Sequence, residues 1–194
     1  MCIRDRPEAA KLRLPVQWVS RPTADQRRRY TGRLAGGTLS VGDPVVNLPS
    51  GTRSTVTVVD TLDENRSTGV APLSVSIELA DDIDVGRGDV LVSGVEDAVL
   101  PVLARELDAT VCWFTNGPLR AGDRLALKQG TRTVRATVQA LHTRLDPETL
   151  DELDGPVELA LNDIGSVTLR TSSVVVAASY ADSRDSGAFI LIDE

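Results

Sequence analysis

One turn, written twice, constrains this chain more than any other feature. "LSVGDPVVNLPSGTR" (Leu39 to Arg53) returns in altered form as "LRAGDRLALKQGTR" (Leu119 to Arg132). Each copy sets a leucine, two spacers and Gly-Asp ahead of a short apolar run, then closes on Gly-Thr-Arg before a Val-rich segment. Glycine admits a positive-φ corner and aspartate can bond its own turn backbone, so each copy predicts a hairpin-type reversal. Gly42 and Gly122 lie 80 residues apart, more than one blade or solenoid repeat and about the size of a small domain. The doubled turn therefore predicts two β modules in tandem, with both glycines at tight-turn positions.

The runs between the turns agree. "VQWVS" (Val16 to Ser20), "YTGRLA" (Tyr30 to Ala35), "VVNL" (Val45 to Leu48), "STVTVVD" (Ser54 to Asp60), "LSVSIEL" (Leu73 to Leu79) and "DVLVS" (Asp89 to Ser93) read as short strands bounded by turn residues. In "LSVSIEL", Leu73, Val75, Ile77 and Leu79 share one parity and Ser74, Ser76 and Glu78 the other, which predicts a strand with one face on a core and one in water. After "GVEDAVLPV" the rhythm restarts with "ARELDATVCWF", "RLALKQ", "RTVRATVQALHTRL", "VELALN", "SVTLRT" and "GAFILID". The boundary falls near Gly94 to Leu100, giving a first barrel over 11–97 and a second over 98–194, with Trp18 and Trp113 in different barrels. The opening "MCIRDR" fits neither strand nor targeting pattern, so 1–10 reads as a leader outside the fold. "DPETLDELD" (Asp146 to Asp154) is the best helical turn, with Pro147 suited to a first helical position. The fold class expected is all-β: two tandem antiparallel β-barrels.

Composition narrows the function. The hydrophobic fraction of 41% supplies a core, but a net charge of -7 argues against a nucleic-acid grip, which needs a clustered cationic surplus. The basic run Arg27 to Arg29 reads as a solvated loop. The two cysteines build no disulfide framework: Cys2 lies in the leader, and Cys112 reads as a small buried hydrophobe. No run approaches the roughly 20 apolar residues of a membrane span, and no secretion signal is present, so the expectation is a soluble cytoplasmic protein without a membrane role.

The motifs of catalysis are mostly missing. The chain has no GxxxxGK[ST], GxGxxG, CxxC or HExxH, hence no readable phosphate cradle or zinc site. The sole histidine, His142, has no GxSxG nucleophile to serve. It shares parity with Val134, Ala136, Val138 and Ala140, which places it on the core face at a barrel rim. The acid clusters Asp81, Asp82, Asp84 and Asp151, Glu152, Asp154 sit in loop-like stretches and read as solvated surface. "RGD" (Arg87 to Asp89) repeats the Gly-Asp chemistry of Gly42-Asp43 and reads as a turn. No catalytic, cofactor-binding or metal residue is assigned.

The order "LPVQWVSRP", "YTGRLAGGTLSVGDPVVNLPSG", "VSIELADDIDVGRGDVLV", "LKQGTRTVRATVQALHTRLD", "LALNDIGSVTL" and "SGAFILID" resembles the second and third domains of the GTP-binding large subunit of bacterial sulfate adenylyltransferase, in the translation-factor-like GTPase superfamily. The likeness covers about Leu12 to Asp193. It implies elongation-factor-like barrel domains from a heterodimer that makes adenosine 5'-phosphosulfate and pyrophosphate from ATP and sulfate. In that family the catalytic small subunit performs adenylyl transfer, and GTP hydrolysis with Mg on the large subunit drives it. The family's GTPase domain has no counterpart here, so the resemblance implies a piece of a longer protein, with no cofactor of its own and no activity alone. Its implied partners are the small subunit and the GTPase domain. Two alternatives remain: barrels of a translation-elongation-type factor that bind aminoacyl-tRNA, or a stand-alone interaction module. Candidate partner-facing residues are Arg132 by "GTRTV", His142 and Arg144 on the long strand, and Arg184 and Asp185 in "YADSRDSG".

Overall fold

Both copies of the turn carry glycine in the left-handed region, φ 93° at Gly42 and 96° at Gly122. They belong to a computed structural model that describes residues 11–21, 27–61, 65–96, 98, 100–181 and 183–193. Its residues divide into two compact units. The first is Met1–Val102 with Gln129–Arg132 and Ala178–Ala188; the second is Leu103–Lys128 with Thr133–Ala177 and Phe189–Glu194.

The first half of the chain runs through β1 (Arg13–Pro15), β2 (Trp18–Ser20), β3 (Arg29–Arg33), β4 (Thr38–Ser40), β5 (Pro44–Leu48), β6 (Arg53–Asp60), β7 (Asn65–Arg66), β8 (Thr68–Val70), β9 (Ser74–Leu79) and β10 (Val90–Ser93). The main sheet runs β1-β10-β5-β6-β9-β3-β2, with β7 on β6 and a separate β4–β8 ribbon. It curls onto itself. On the side away from β10, Arg13 accepts from Ala35 N at 2.8 Å and donates to Gly36 O at 3.1 Å, while Gln17 N reaches Thr31 O at 2.8 Å. Val75, Ile77 and Leu79 point inward as their parity requires, joining Leu14, Val16, Tyr30, Leu34, Leu39 and Leu91 in one core.

The second half continues with β11 (Val102–Cys112), β12 (Leu119–Arg120), β13 (Arg124–Gln129), β14 (Arg132–Leu145), β15 (Glu152–Asp154), β16 (Glu158–Leu159), β17 (Ile164–Ala177), the short helix α1 (Arg184–Gly187) and β18 (Ile190–Ile192). Here the sheet order is β11-β17-β14-β13-β18, with β15 on β14 and a β12–β16 ribbon. Leu119, Leu127, Leu159, Val167 and Leu169 fill its core beside Trp113. Each fully buried leucine of this kind is worth about 2 kcal/mol of transfer free energy. Two antiparallel β-barrels, each with its own core, are thus what the alternating strands build.

The turn occurs four times, once more than the Gly-Asp pattern announces. In Ser40–Asp43, Gly86–Asp89, Arg120–Asp123 and Ala160–Asp163, the aspartate N–H donates to the carbonyl three residues back at 3.0–3.2 Å. Its carboxylate accepts from that same residue's N–H at 2.7, 3.0, 2.7 and 2.8 Å respectively. The third residue has positive φ in every copy: Gly42, Gly88, Gly122 and Asn162 at 70°. Asparagine tolerates that conformation. Each turn then grips one residue of a neighbouring segment twice, through the left-handed residue's N–H and the aspartate carbonyl. The gripped residues are Val56, Val16, Val138 and Trp113.

Several expectations yield to the geometry. Asp146 to Asp154 is not helical: Asp146 Oδ1 accepts from Glu148 N at 2.9 Å, the turn stops at Leu150 with φ 63°, and Glu152–Asp154 become β15 against β14. The last three acids of that stretch therefore stand partly in a strand. Arg27 and Arg28 lie outside any strand as expected, but the run is tied down rather than simply solvated: Arg29 opens β3 and bridges Asp60 at 2.8 Å and Glu78 at 3.0 Å, Arg27 donates to the Leu79 and Ala80 carbonyls, and Arg28 meets Asp82. Cys112 is exposed, because Val111 takes the inward position at that end of β11. Trp18 lies in the first unit and Trp113 in the second. The "MCIRDR" leader and Cys2 lie outside the described residues.

An added Cβ meets nothing within 4 Å at Gly42 or Gly122. Alanine there should therefore cost only left-handed backbone strain, about 1–2 kcal/mol; urea unfolding of Gly122→Ala with no loss of stability would refute the turn assignment. Burial pushes the Tyr30 phenol above its ordinary 10.0, partly offset by Arg28. The folded state then holds that proton to higher pH than the unfolded chain. Its contribution is intact below pH 10 and falls as pH rises through the folded value. Urea midpoints between about pH 9 and 11 should fall less steeply in Tyr30→Phe than in the parent; equal slopes contradict the assignment.

Candidate functional site

Arg132 opens β14, and with its hairpin tip, Gln129–Arg132, it is part of the first unit. Its seat is the Gly86–Asp89 turn. Arg132 Nη1 lies 3.4 Å from Asp89 Oδ1, and a Cβ on Gly88 would stand 3.1 Å from Arg132 Cβ. Thr131 Oγ1 donates at 2.9 Å to the Val16 carbonyl, which also accepts Gly88 N at 3.0 Å. Behind the seat Asn47, wholly buried, donates to Asp84 O at 3.0 Å and Asp89 Oδ2 at 3.2 Å. Asp89 thus caps its own turn and also holds Asn47 and Arg132. The other half-buried feature is a mismatch: Arg132 Nε is buried without a partner among the described residues.

Arg184, in α1, belongs to the same unit as Arg132. Gln129 Nε2 donates to Ser186 O at 2.6 Å, tying the hairpin tip to the helix. The exposed Arg184 guanidinium sits 5.8 Å from the Tyr180 ring centroid, a cation–π distance. Asp185 is likewise exposed in the first turn of α1. These two arginines differ in kind: one is committed to a carboxylate, the other faces water.

His142 lies in the second unit and off the core face expected for it. Register shifts in the β14–β17 ladder leave Gln139 and His142 without opposite residues. Each extra residue reverses parity. Leu141 turns in against Val167, and His142 turns out to water, its Nε2 2.7 Å from Thr168 Oγ1. Thr168 donates to Asp108 Oδ1 at 2.6 Å, so its hydroxyl can only accept from a His142 Nε2–H. The chain His142–Thr168–Asp108 places threonine in the middle with its proton held by the acid, an order that fixes side chains and does not create a nucleophile. Arg144, close by on β14, reaches Asp163 Oδ2 at 3.7 Å.

Among the described residues no three His, Cys, Asp or Glu side chains gather at metal-binding distance, and no helix is long and apolar enough to cross a membrane. Sequence reading missed Asn47, Asp108, Thr131 and Thr168. Only Asn47 left a signal, as the one amide inside the apolar run "VVNL".

Comparison with known proteins follows the fold closely. The GTP-eEF1A C-terminal domain-like family matches residues 106–194. Structures of sup35 complexed with GMPPNP and with GDP superpose with TM-scores of 0.85 and 0.86 at 20% identity, covering 100% and 96% of this chain and 47% and 45% of theirs. Sulfate adenylyltransferase subunit 1 of Methylorubrum extorquens is 41% identical over 98% of this chain and 40% of that protein. The protein named bifunctional enzyme CysN/CysC of Mycobacterium tuberculosis is 39% identical over 94% and 30%; the Aeromonas hydrophila subunit 1 is 39% identical over 96% and 38%.

The class is therefore a pair of elongation-factor-like β-barrels. Within it, the chain is similar over nearly its whole length to sulfate adenylyltransferase subunit 1 proteins, and it spans about two fifths of the length of the M. extorquens relative.

The Asp89 seat sets its own test. Asp43→Ala removes one cap, to Ser40 N, and should cost about 1 kcal/mol. Asp89→Ala strips acceptors from Gly86 N, Asn47 and Arg132 together and should cost about twice that by chemical denaturation. Equal losses would show that Asp89 does no more than cap its turn.

Proposed function

We propose that this chain supplies the β-barrel part of a sulfate adenylyltransferase GTP-binding subunit and acts there as a docking scaffold with no reacting centre of its own. The observation that carries the reading is 41% identity sustained over 98% of the chain. In the assembly so inferred, GTP and Mg sit in a GTPase domain. The catalytic small subunit forms adenosine 5'-phosphosulfate, a costly sulfate–phosphate anhydride, and GTP hydrolysis offsets that cost. Rigid barrels suit the transmission, because a closed sheet moves as a body when a switch domain pulls on it. The cytoplasm is the compartment, and nucleic acid is no partner: the net charge of -7 opposes phosphate.

Of the candidate contact residues, Arg184 and His142 are exposed and accessible to a partner, while Arg132 supports the surface from its seat on Asp89. The test is a pull-down of the purified chain against the catalytic small subunit of a bacterial sulfate adenylyltransferase, with and without a separately supplied GTPase domain. Retention is expected, and it should weaken in Arg184→Glu or His142→Ala proteins whose circular dichroism is unchanged. Failure of the folded parent chain to bind under either condition refutes the docking role. Retention of aminoacyl-tRNA instead would favour an elongation-factor function.

A further inference from the structure

The hairpin from Asp146 to Val157 combines two features that rarely share a surface without a partner. Leu150, Leu153 and Val157 are 71%, 42% and 85% exposed, three of the more exposed apolar side chains of the second unit, within eight residues of one another. Between and around them stand Asp146, Glu148, Asp151, Glu152 and Asp154, with no lysine or arginine in the stretch. Five of the chain's 28 acidic residues are thus concentrated here. None of the described ion pairs engages them.

The segment is also built rather than loose. Leu150 N bonds Asp146 O at 2.8 Å, Asp146 N bonds Asp151 O at 2.9 Å, and Gly155 N bonds His142 O at 2.8 Å. β15 pairs with β14 through Thr143↔Asp154, Arg144↔Leu153 and Leu145↔Glu152. A surface already ordered loses little conformational entropy when it is covered. Apolar side chains held out to water inside a ring of acids fit an occupant that covers the leucines and neutralises the carboxylates.

We propose that this hairpin is the surface the chain presents to its protein partner, which meets it with lysine or arginine side chains bordering an apolar cleft. The identity of that partner, the catalytic small subunit, rests on the function proposed above; the chemistry required of it rests on the hairpin alone. Charge decides among occupants. A phosphate backbone or an anionic lipid surface would be repelled, and a second copy meeting through the same hairpin would set like charges face to face. His142, whose carbonyl holds Gly155, stands at the hairpin base and joins the same surface.

The experiment is titration calorimetry of the whole chain against the purified catalytic small subunit. The parent is compared with Leu150→Ser/Leu153→Ser and with Glu148→Gln/Asp151→Asn/Glu152→Gln, all at exposed sites and checked for fold by circular dichroism. Each variant should weaken Kd by roughly tenfold or more. The parent's Kd should rise steeply between about 0.05 and 0.5 M salt, and that dependence should flatten in the amide variant. Parent affinity retained in both variants overturns the hairpin and leaves the docking function standing. No binding by the parent overturns the function and this assignment together. Self-association by sedimentation equilibrium that the leucine variant abolishes would reassign the surface to a second copy and overturn the basic partner.

Discussion

The carboxylate-capped left-handed turn is the interaction on which the rest of this structure depends. A strand cannot change direction sharply unless one residue accepts positive φ, and a corner's exposed N–H groups need acceptors. Here a glycine or asparagine takes the positive φ, and the aspartate that follows closes the turn with its N–H and caps it with its carboxylate. The same four residues also clamp a valine or tryptophan in the adjacent segment through two backbone bonds. Each corner therefore sets the pairing of its neighbour, and a barrel with two corners has two fixed points from which the alternation of inward and outward side chains is measured.

Much of this was legible because it is local. The two Gly-Asp copies, the alternation in "LSVSIEL" and the Gly88-Asp89 turn depend on a few adjacent residues, and the structure keeps them. The fourth corner escaped because Asn162 stands where the other three have glycine, and a pattern written on glycine passes over it. The Arg27–Arg29 run misled for the opposite reason. Its partners Asp60, Glu78 and Asp82 lie tens of residues away, and only the sheet register brings them near. "DPETLDELD" has helical composition, but pairing to β14 supplies its last three residues with backbone partners that a solitary turn of helix lacks.

The candidate surfaces were less legible still. Arg132 reads in sequence as an exposed rim arginine, and in the fold it pairs with a carboxylate 43 residues away. No periodicity announces such a pairing. His142 was placed on a face by counting, and counting fails at a bulge. What sequence did supply was a resemblance to one family, carried by motifs spread along nearly the whole chain.

The two extra residues of β14 carry a further implication. A bulge is a phase slip, so this 14-residue strand is, for its side chains, three short waves joined out of step at Gln139 and His142. Averaged end to end, its polar–apolar signal cancels, and an alignment that closed either slip with a one-residue gap would look tidier while inverting every facing downstream. Relatives of this strand should therefore be compared in segments, with any insertion or deletion at those two positions read as a change of which residues face the core and which face water rather than as loop noise.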